Sequence, residues 1–517
     1  MKTRLAASTE FPSAISLYKT ETMAAWLCGI VLAFSVLLGG GTHAGFIGDV
    51  IVQLLSVPLI ALSLWSFSSF KGLNEHQRRG ILLFTYGIII ILFIQLLPLP
   101  FEVPSIGGAL TTRASDLGML GQKNSWATVS STPQATWAAA ASLVVPASVF
   151  FGTLQLNLRH RLALAWLLLA LGGLSLLLGF LQMAQGPGSN LRFYDVTNPQ
   201  EAVGLFANRN HFSAHLYVTL VLAATWYATT VGQTLKIRAL GSRSMLWSTA
   251  AVVFLVSVMA GLAMARSRAG MFLAIVGLAG IILMILRQQN DREVGSVRSR
   301  LSAGRMFMLV AFFGLVFAVQ FGLGSVLSRL EVDPLEDLRV TLAGTTFEAA
   351  VRSLPFGTGL GSFVPVYAAV EKDSDVFAGF ANRAHSDFAE ILLETGLFGL
   401  ILLVAFLVWF FPKAYNVWRK RKFNGHDSQL LLQRSATLVI FLLLTHSLVD
   451  YPLRTTALSS IFMFFCAVLT TEASNSKDEF VPHKRQRSVE PKPPLRANAG
   501  GKWGSDLHWP EGWQKRS

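Results

Sequence analysis

Polar residues able to bind phosphate and to move a proton gather in four short strings of this 517-residue chain. The strings are GLFANRNHFSAH (204–215), ARSRAG (265–270), AHSDFAEILLETG (384–396) and HSLVDYPLR (446–454). Arginine suits a phosphate because its guanidinium group is permanently charged and can bind two oxygens at once. Histidine suits a hydroxyl proton, since its ordinary pKa of about 6.5 leaves it largely neutral at ordinary pH. Together these residue types fit the displacement of a diphosphate by a hydroxyl group.

Each string also has a purely structural explanation. Arg266 and Arg268 lie in a very short connection, where both side chains could simply reach lipid headgroups. Asp387, Glu390 and Glu394 follow the i, i+3, i+7 spacing of one helix face, which could be a solvated acidic face. The coincidence of all four strings, rather than any one of them, favours a site.

Apolar runs of membrane-spanning length must position these strings. Hydrophobic residues make up 52% of the chain and charged residues 14%, a balance that excludes an ordinary soluble protein. The runs long enough to cross a bilayer are 23–41, 46–68, 80–98, 136–155, 163–183, 211–231, 247–264, 269–286, 306–324, 394–412, 435–449 and 456–472. The sequence therefore predicts an all-α, polytopic transmembrane helical bundle of about 12 spans.

Basic residues indicate how the bundle is oriented. Arginine and lysine concentrate in alternate connections, for example at Arg78 and Arg79 and around Arg287, and the positive-inside rule places these connections and both termini in the cytoplasm. The longest intervening connection is acidic and is predicted to be a large periplasmic loop. The predicted organisation is a cytoplasmic N-terminal tail (1–22), nine transmembrane helices (23–324), the periplasmic loop (325–393), three transmembrane helices (394–472) and a basic, disordered cytoplasmic tail (473–517).

Charge and cysteine content exclude two other classes of site. The net charge is +14, but the basic residues punctuate apolar runs instead of forming one soluble surface, so nucleic acid is not a predicted partner. The only cysteines, Cys28 and Cys466, lie in apolar stretches near opposite ends of the chain, which leaves no disulfide framework or thiolate metal site. No metal ligands and no cofactor are predicted.

Several strings resemble the O-antigen ligase and polymerase family. The similarity begins at LPLP (97–100), includes GLFANRNHFSAH, SRAG, PFGTGLGSF (355–363) and AHSDFAEILLETGLFG, and continues to the last span. It implies an inverting, metal-independent membrane glycosyltransferase of the bacterial inner membrane. The implied donor is an undecaprenyl-diphosphate-linked glycan on the periplasmic face, and the implied acceptor is a glycan or the lipid A core.

The resemblance also implies roles for individual residues. Arg268 and Arg339 would neutralise the diphosphate, with Arg209 as a further candidate, and His385 would be the base for the acceptor hydroxyl. The supporting candidates are His211, Arg266, Arg352, Asp387, Glu390, Asp450 and Arg454. Ser386 stands where the family commonly has asparagine, which affects acceptor binding.

Alternatives remain open at the level of the sequence. A polymerase of repeat units and a ligase of finished chains share the donor and differ only in the acceptor, and the general resemblance of FANRNHF and HSLVDYPLR favours the polymerase. A flippase for lipid-linked oligosaccharides would also need arginines, but along a cavity through the membrane. A non-catalytic component that associates with other polysaccharide-assembly proteins would not need His385.

Overall fold

The structure, a computed structural model, describes residues 14–42, 45–67, 73–100, 119, 121, 126–234, 242–290, 334–373, 376, 381–420 and 427–471. The first helices are α1 (Ala14–Leu38), α2 (Ile47–Ser66), α3 (Glu75–Leu96), α4 (Pro133–Ser142), α5 (Val144–Leu154), α6 (Leu158–Gln185) and α7 (Arg209–Thr234). They are followed by α8 (Ser242–Ala265), α9 (Arg268–Asn290), α10 (Pro334–Arg352), α11 (Phe363–Val370), α12 (Asp387–Arg419), α13 (Asp427–His446) and α14 (Thr456–Thr470). A 3₁₀ turn, Pro452–Arg454, lies between α13 and α14.

Two short strands accompany these helices. Strands β1 (Pro98–Pro100) and β2 (Trp126–Thr128) pair antiparallel, with Leu99 opposite Ala127. The backbone of Ser130 then donates to the carbonyl of Gln95 at 2.9 Å, which ties the start of α4 to the end of α3. The predicted all-α class holds for the described residues apart from this small ribbon.

The membrane class is confirmed by the length and apolar composition of the helices. Seven described helical segments, one of them made of α4 and α5 together, are long and apolar enough to cross a membrane: Thr20–Leu38, Ile47–Ser66, Glu75–Leu96, Pro133–Leu154, Leu158–Gln185, Asp387–Arg419 and Ser428–His446. The shorter apolar helices are Thr249–Ala265, Arg268–Met284 and Thr456–Thr470. A helix occupies every predicted run except 306–324, which lies outside the described residues together with residues 1–13 and 473–517. The total of 12 spans stays a prediction.

Two boundaries differ from those that the apolar runs predict. The fourth run is two helices that meet at Leu143. The tenth run, predicted to begin near residue 394, is part of α12, which already begins at Asp387 with the side chain of Ser386 accepting from the backbone N–H of Ala389. An apolar run marks the part of a helix that suits hydrocarbon, whereas the helix itself begins at its polar N-cap.

The predicted periplasmic loop contains regular structure. Helices α10 and α11 fall within it, and α10 packs along α12. Leu342, Ala350, Phe363, Tyr367 and Leu393 form a small buried core there. The described part of the loop is thus a folded element that rests on α12, and Arg339 and the 355–363 string lie on it.

Hydrogen bonds between helix ends show which ends lie together. At one end of the bundle, Ala457 N donates to Gly39 O at 3.0 Å and Ala202 N donates to Met264 O at 3.1 Å. These bonds join the C-terminus of α1 to the N-terminus of α14, and the segment before α7 to the C-terminus of α8. The four polar strings all lie at this end, as the alternation of spans predicts.

The opposite end carries the basic connections. Gln77 Nε2 donates to Thr470 O at 3.0 Å, Arg161 Nη1 donates to Thr471 Oγ1 at 2.5 Å and Arg287 Nη1 donates to Trp418 O at 2.7 Å. This end therefore holds the N-termini of α3 and α6 and the C-termini of α9, α12 and α14. The side of the membrane that each end faces stays a prediction from the positive-inside rule.

Candidate active site

The candidate base, His385, lies beside a buried carboxylate. Its Nδ1 is 3.4 Å from Oδ1 of Asp450, a long contact that a shift of a few tenths of an ångström would turn into a good hydrogen bond. The His385 side chain is 18% exposed and that of Asp450 1%. His385 has a φ of 51°, in the left-handed region, and directly precedes the N-cap of α12. Such a backbone conformation is held only where surrounding contacts enforce it.

Asp450 is stabilised as a carboxylate. Asn210 Nδ2 donates to its Oδ2 at 2.5 Å, and the backbone N–H of Tyr451 donates to its Oδ1 at 3.0 Å. Burial raises the pKa of Asp450, but the interactions with His385, His211 and Arg339 outweigh burial and hold the pKa well below its ordinary value. An ionised Asp450 favours the proton of a neutral His385 on Nδ1, which leaves Nε2 to accept a proton.

Tyr451 stands between two histidines. Its ring makes edge-to-face contacts with His211 at a centroid distance of 4.9 Å and with His385 at 5.2 Å. Its hydroxyl lies 3.5 Å from Nδ2 of both Asn208 and Asn382. Burial, followed by the charge of Asp450, raises the pKa of Tyr451 to about 12, so the phenol stays protonated.

Three carboxylates of α12 surround Arg454. Its Nη1 lies 2.8 Å from Glu394 Oε2 and 3.5 Å from Glu390 Oε1, and its Nε lies 3.6 Å from Asp387 Oδ1. The spacing correctly predicted one helix face, but the alternative of a solvated acidic face is wrong, because the three carboxylate side chains are at most 3% exposed. That face packs on the 3₁₀ turn that carries Arg454.

This cluster clamps the segment with Asp450 onto the start of α12. Ser447 Oγ donates to Asp387 Oδ2 at 2.7 Å, and the backbone N–H of Asp387 donates to Ser447 O at 3.0 Å. Arg383 adds a second cation, with Nη1 2.7 Å from Glu390 Oε1. Because His385 lies between Arg383 and Asp387, the same contacts that bury the carboxylates fix the distance between His385 and Asp450.

The predicted diphosphate ligands lie at the same end of the bundle. Arg209 opens α7 and pairs with Glu201, Nη1 to Oε1 at 2.6 Å. Arg268 opens α9, and a Cβ added at Gly270 would lie 2.4 Å from Ser213 Cβ, so the first turns of α9 and α7 are in contact. Helix N-termini favour anions, which adds to the positive potential of the two arginines.

The remaining predicted arginines differ in their surroundings. Arg339, in α10, contributes to the low pKa of Asp450 and so lies within electrostatic reach of the candidate base. Arg266 is exposed with a φ of 50°, and Arg352 is exposed at the last turn of α10. The structure thus brings His211, His385, Asp450 and Arg339 together but leaves Arg266 and Arg352 on the surface.

The glycine-rich string 355–363 supports α12 from outside. Helix α12 is broken at Gly396, with φ 58° and ψ −144°, which frees the carbonyls before it. Thr358 N donates to Leu393 O at 2.9 Å, and Gly359 N donates to Glu394 O at 3.0 Å. A Cβ at Gly396 would lie 2.2 Å from Pro355 O, so only glycine permits this close approach.

Sequence reasoning missed four residues of the site: Tyr451, Asn382, Arg383 and Gln95, whose Nε2 donates to Glu394 O at 2.7 Å. One signal could have found two of them, Asn382 and Arg383. The string FANRNH (206–211) is repeated as FANRAH (380–385), and both copies lead into a helix. The repeat is too short for a search for 20- to 50-residue periods.

The donor set offers no evident metal centre. Among the described residues, no three His, Cys, Asp or Glu side chains are arranged to hold a metal ion. The carboxylates that do cluster face Arg454 instead, and Arg383 adds a second cation beside Glu390.

Comparison with known protein families supports the resemblance seen in the motifs. Residues 250–404 match the sequence model of the family described as O-antigen ligase. The matched region includes ARSRAG, the 355–363 string and AHSDFAEILLETG, but ends before HSLVDYPLR. No curated protein matches the chain significantly. The match supports the predicted family assignment for this region of the chain, and the family description suggests glycan transfer at the membrane.

Proposed function

We propose that the chain transfers a glycan from undecaprenyl diphosphate to a sugar hydroxyl on the periplasmic face of the inner membrane. Residues 250–404 match the O-antigen ligase family. The observation that carries the proposal is the pairing of His385 with Asp450. A partly exposed imidazole backed by a buried carboxylate is suited to general-base catalysis. The arginines of α7, α9 and α10 are gathered at the same end of the bundle.

The proposed step is a single displacement. The acceptor hydroxyl oxygen forms a bond to the anomeric carbon of the donor sugar, from the side opposite the diphosphate. The bond between that carbon and the diphosphate oxygen breaks, and the lipid diphosphate leaves with the electron pair. The hydroxyl proton passes to Nε2 of His385, and Asp450 stabilises the imidazolium that forms.

The arginines have a separate task. Arg268, Arg339 and Arg209 would bind the diphosphate and stabilise the charge that develops as it leaves. Arg209 is held by Glu201, which fixes the direction of its guanidinium group. Arg268 and Arg209 begin helices that touch through Gly270 and Ser213, so one diphosphate can meet both helix N-termini.

Glycan assembly in a deletion strain tests the proposal. The strain is complemented with His385→Ala, Arg268→Ala or Arg339→Ala, and the amount of each protein in the membrane is measured by blot. We expect long glycan to be lost while lipid-linked units accumulate. His160→Ala is the matched control, because His160 pairs with Glu21 at the opposite end of the bundle, at 3.1 Å.

The products distinguish the remaining alternatives. Single units on the carrier mean failed polymerisation, and long chains stranded on the carrier mean failed ligation. Unchanged glycan with His385→Ala present at wild-type amounts contradicts the general-base assignment and favours a flippase or a non-catalytic component.

A further inference from the structure

The asparagine and the histidine of the two FANRxH strings occupy equivalent places around one residue, Tyr451, which follows Asp450. The first string, 206–211, provides Asn208 to the Tyr451 hydroxyl, and the second, 380–385, provides Asn382 to the same atom. The histidine that ends each string, His211 or His385, meets the ring of Tyr451 edge to face.

The arginine position of the two strings matches as well. The arginine of each string pairs with a glutamate, Arg209 with Glu201 at 2.6 Å and Arg383 with Glu390 at 2.7 Å. Asp450 also receives one contact from each string, from Asn210 on Oδ2 and from His385 on Oδ1. Two segments that are far apart in the chain thus both contact Tyr451 through an asparagine and a histidine, whereas their contacts with Asp450 come from different positions of the strings.

The copies differ in what their histidines can reach. His211 is fully buried, whereas the side chain of His385 is 18% exposed. Only the second histidine is therefore open to a substrate. The histidine of the first string is a buried support, and its effect on His385 must pass through Asp450 and Tyr451.

We infer that Tyr451 is a positioning residue whose ring, held between the two strings, sets the orientation of the His385 imidazole. The contact of His385 with Asp450 is long, 3.4 Å, so one hydrogen bond alone does not fix the ring plane. Tyr451 is 2% exposed and has edge-to-face contacts on both sides, so it has little freedom to move. The inference rests on the proposed function in one respect, namely that His385 is the base.

The hydroxyl group contributes less than the ring. Both of its amide contacts are 3.5 Å long, at the limit for a hydrogen bond. Tyr451→Phe keeps both edge-to-face contacts, whereas Tyr451→Leu removes them. The two variants therefore separate the orientation of His385 from hydrogen bonding by the phenol.

The experiment measures purified full-length protein in two ways. The first is turnover and the half-saturating donor concentration, with lipid-diphosphate-linked glycan as the substrate. The second is the rate at which diethyl pyrocarbonate modifies His385 and His211, followed by mass spectrometry of the peptides. This second measurement needs no glycan transfer. Tyr227→Leu is the matched control, since Tyr227 is buried on α7 about 27 Å along the helix from Arg209.

We expect Tyr451→Leu to lower turnover on the order of 10- to 100-fold, with the half-saturating donor concentration changed less than about twofold. Modification of His385 and of the otherwise protected His211 should become several-fold faster. Tyr451→Phe should stay within about fivefold of the parent turnover and keep the parent modification rates. Tyr227→Leu should match the parent in both measurements.

Two results would overturn the inference. One is a Tyr451→Leu protein with parent rates of turnover and His385 modification. The other is a Tyr451→Phe protein that has lost its turnover or in which His385 is deprotected. This second result would overturn the inference even where Tyr451→Leu fails to fold. Failure of the proposed function looks different: His385→Ala then transfers glycan normally, while the modification rates still report on the position of His385.

Discussion

Removing Arg454 should destabilise the protein by an amount that its three carboxylate partners determine. In Arg454→Met, Glu394 loses its closest cation, at 2.8 Å, and keeps the backbone N–H of Gly361 at 2.9 Å. Glu390 retains Arg383, and Asp387 retains Ser447. Glu394 is thus left as a buried carboxylate without a cation in direct contact.

The expected cost follows from that unpaired charge. Breaking a buried ion pair by removing one partner costs about 3–5 kcal/mol, of which the lost charge-assisted hydrogen bond accounts for roughly 1.5–3 kcal/mol. For a chain of this size, 1 kcal/mol corresponds to roughly 1 °C in melting temperature. We therefore expect the melting temperature in detergent to fall by about 3–5 °C.

A second substitution tests the cause. Glu394→Gln removes the charge that Arg454→Met leaves unpaired, so the double variant should regain roughly 1.5–3 kcal/mol relative to Arg454→Met alone. Arg79→Met is the control, because Arg79 pairs with Glu75 on the surface with 68% of its side chain exposed, and such a pair adds little. A melting temperature of Arg454→Met equal to that of the control, or no recovery in the double variant, would refute the reasoning.

Two further predictions concern the base and the break in α12. Asp450→Asn should lower turnover on the order of 100-fold, because the carboxylate that stabilises the imidazolium formed on His385 is gone. Since the low pKa of Asp450 keeps it ionised in the parent, a variant with parent turnover would mean that this charge does not assist the base. Gly396→Ala should cost at least about 1–3 kcal/mol of unfolding free energy, since a side chain meets Pro355 O in a backbone region reserved for glycine. Gly80→Ala, where a Cβ meets nothing within 4 Å, should not destabilise the protein, and equal melting temperatures would contradict the close-approach argument.

The helices and the end of the bundle at which the motifs lie could be predicted from sequence, because both depend on local properties. Apolar runs reveal spans, and alternation of spans decides which connections share a side. The folded loop was not predicted because α10 mixes polar and apolar residues and has no long apolar run. Its helical state depends on packing against α12, which no local pattern encodes.

The site could be predicted as a set of residues but not as a set of pairs. The spacing of Asp387, Glu390 and Glu394 places them on one face whatever that face meets. Whether the face is solvated depends on Arg454, which contacts this face only after α12 and α13 have led the chain away and back to the same end of the bundle. The pairing of His385 with Asp450 depends on the same return of the chain. The sequence therefore names Asp450 as a supporting candidate but does not predict its contact with His385.

The positions of the arginines bear on the flippase alternative. A path for a diphosphate across the bilayer needs cations through the thickness of the bundle. In the described helices, Arg161 and Arg434 bind Thr471 and Lys420 O at one end. Arg383 and Arg454 are held by the carboxylates of α12 at the other. Charges confined to the ends, with the ionised Asp450 and its histidine at only one of them, favour a reaction at one face over passage through the membrane.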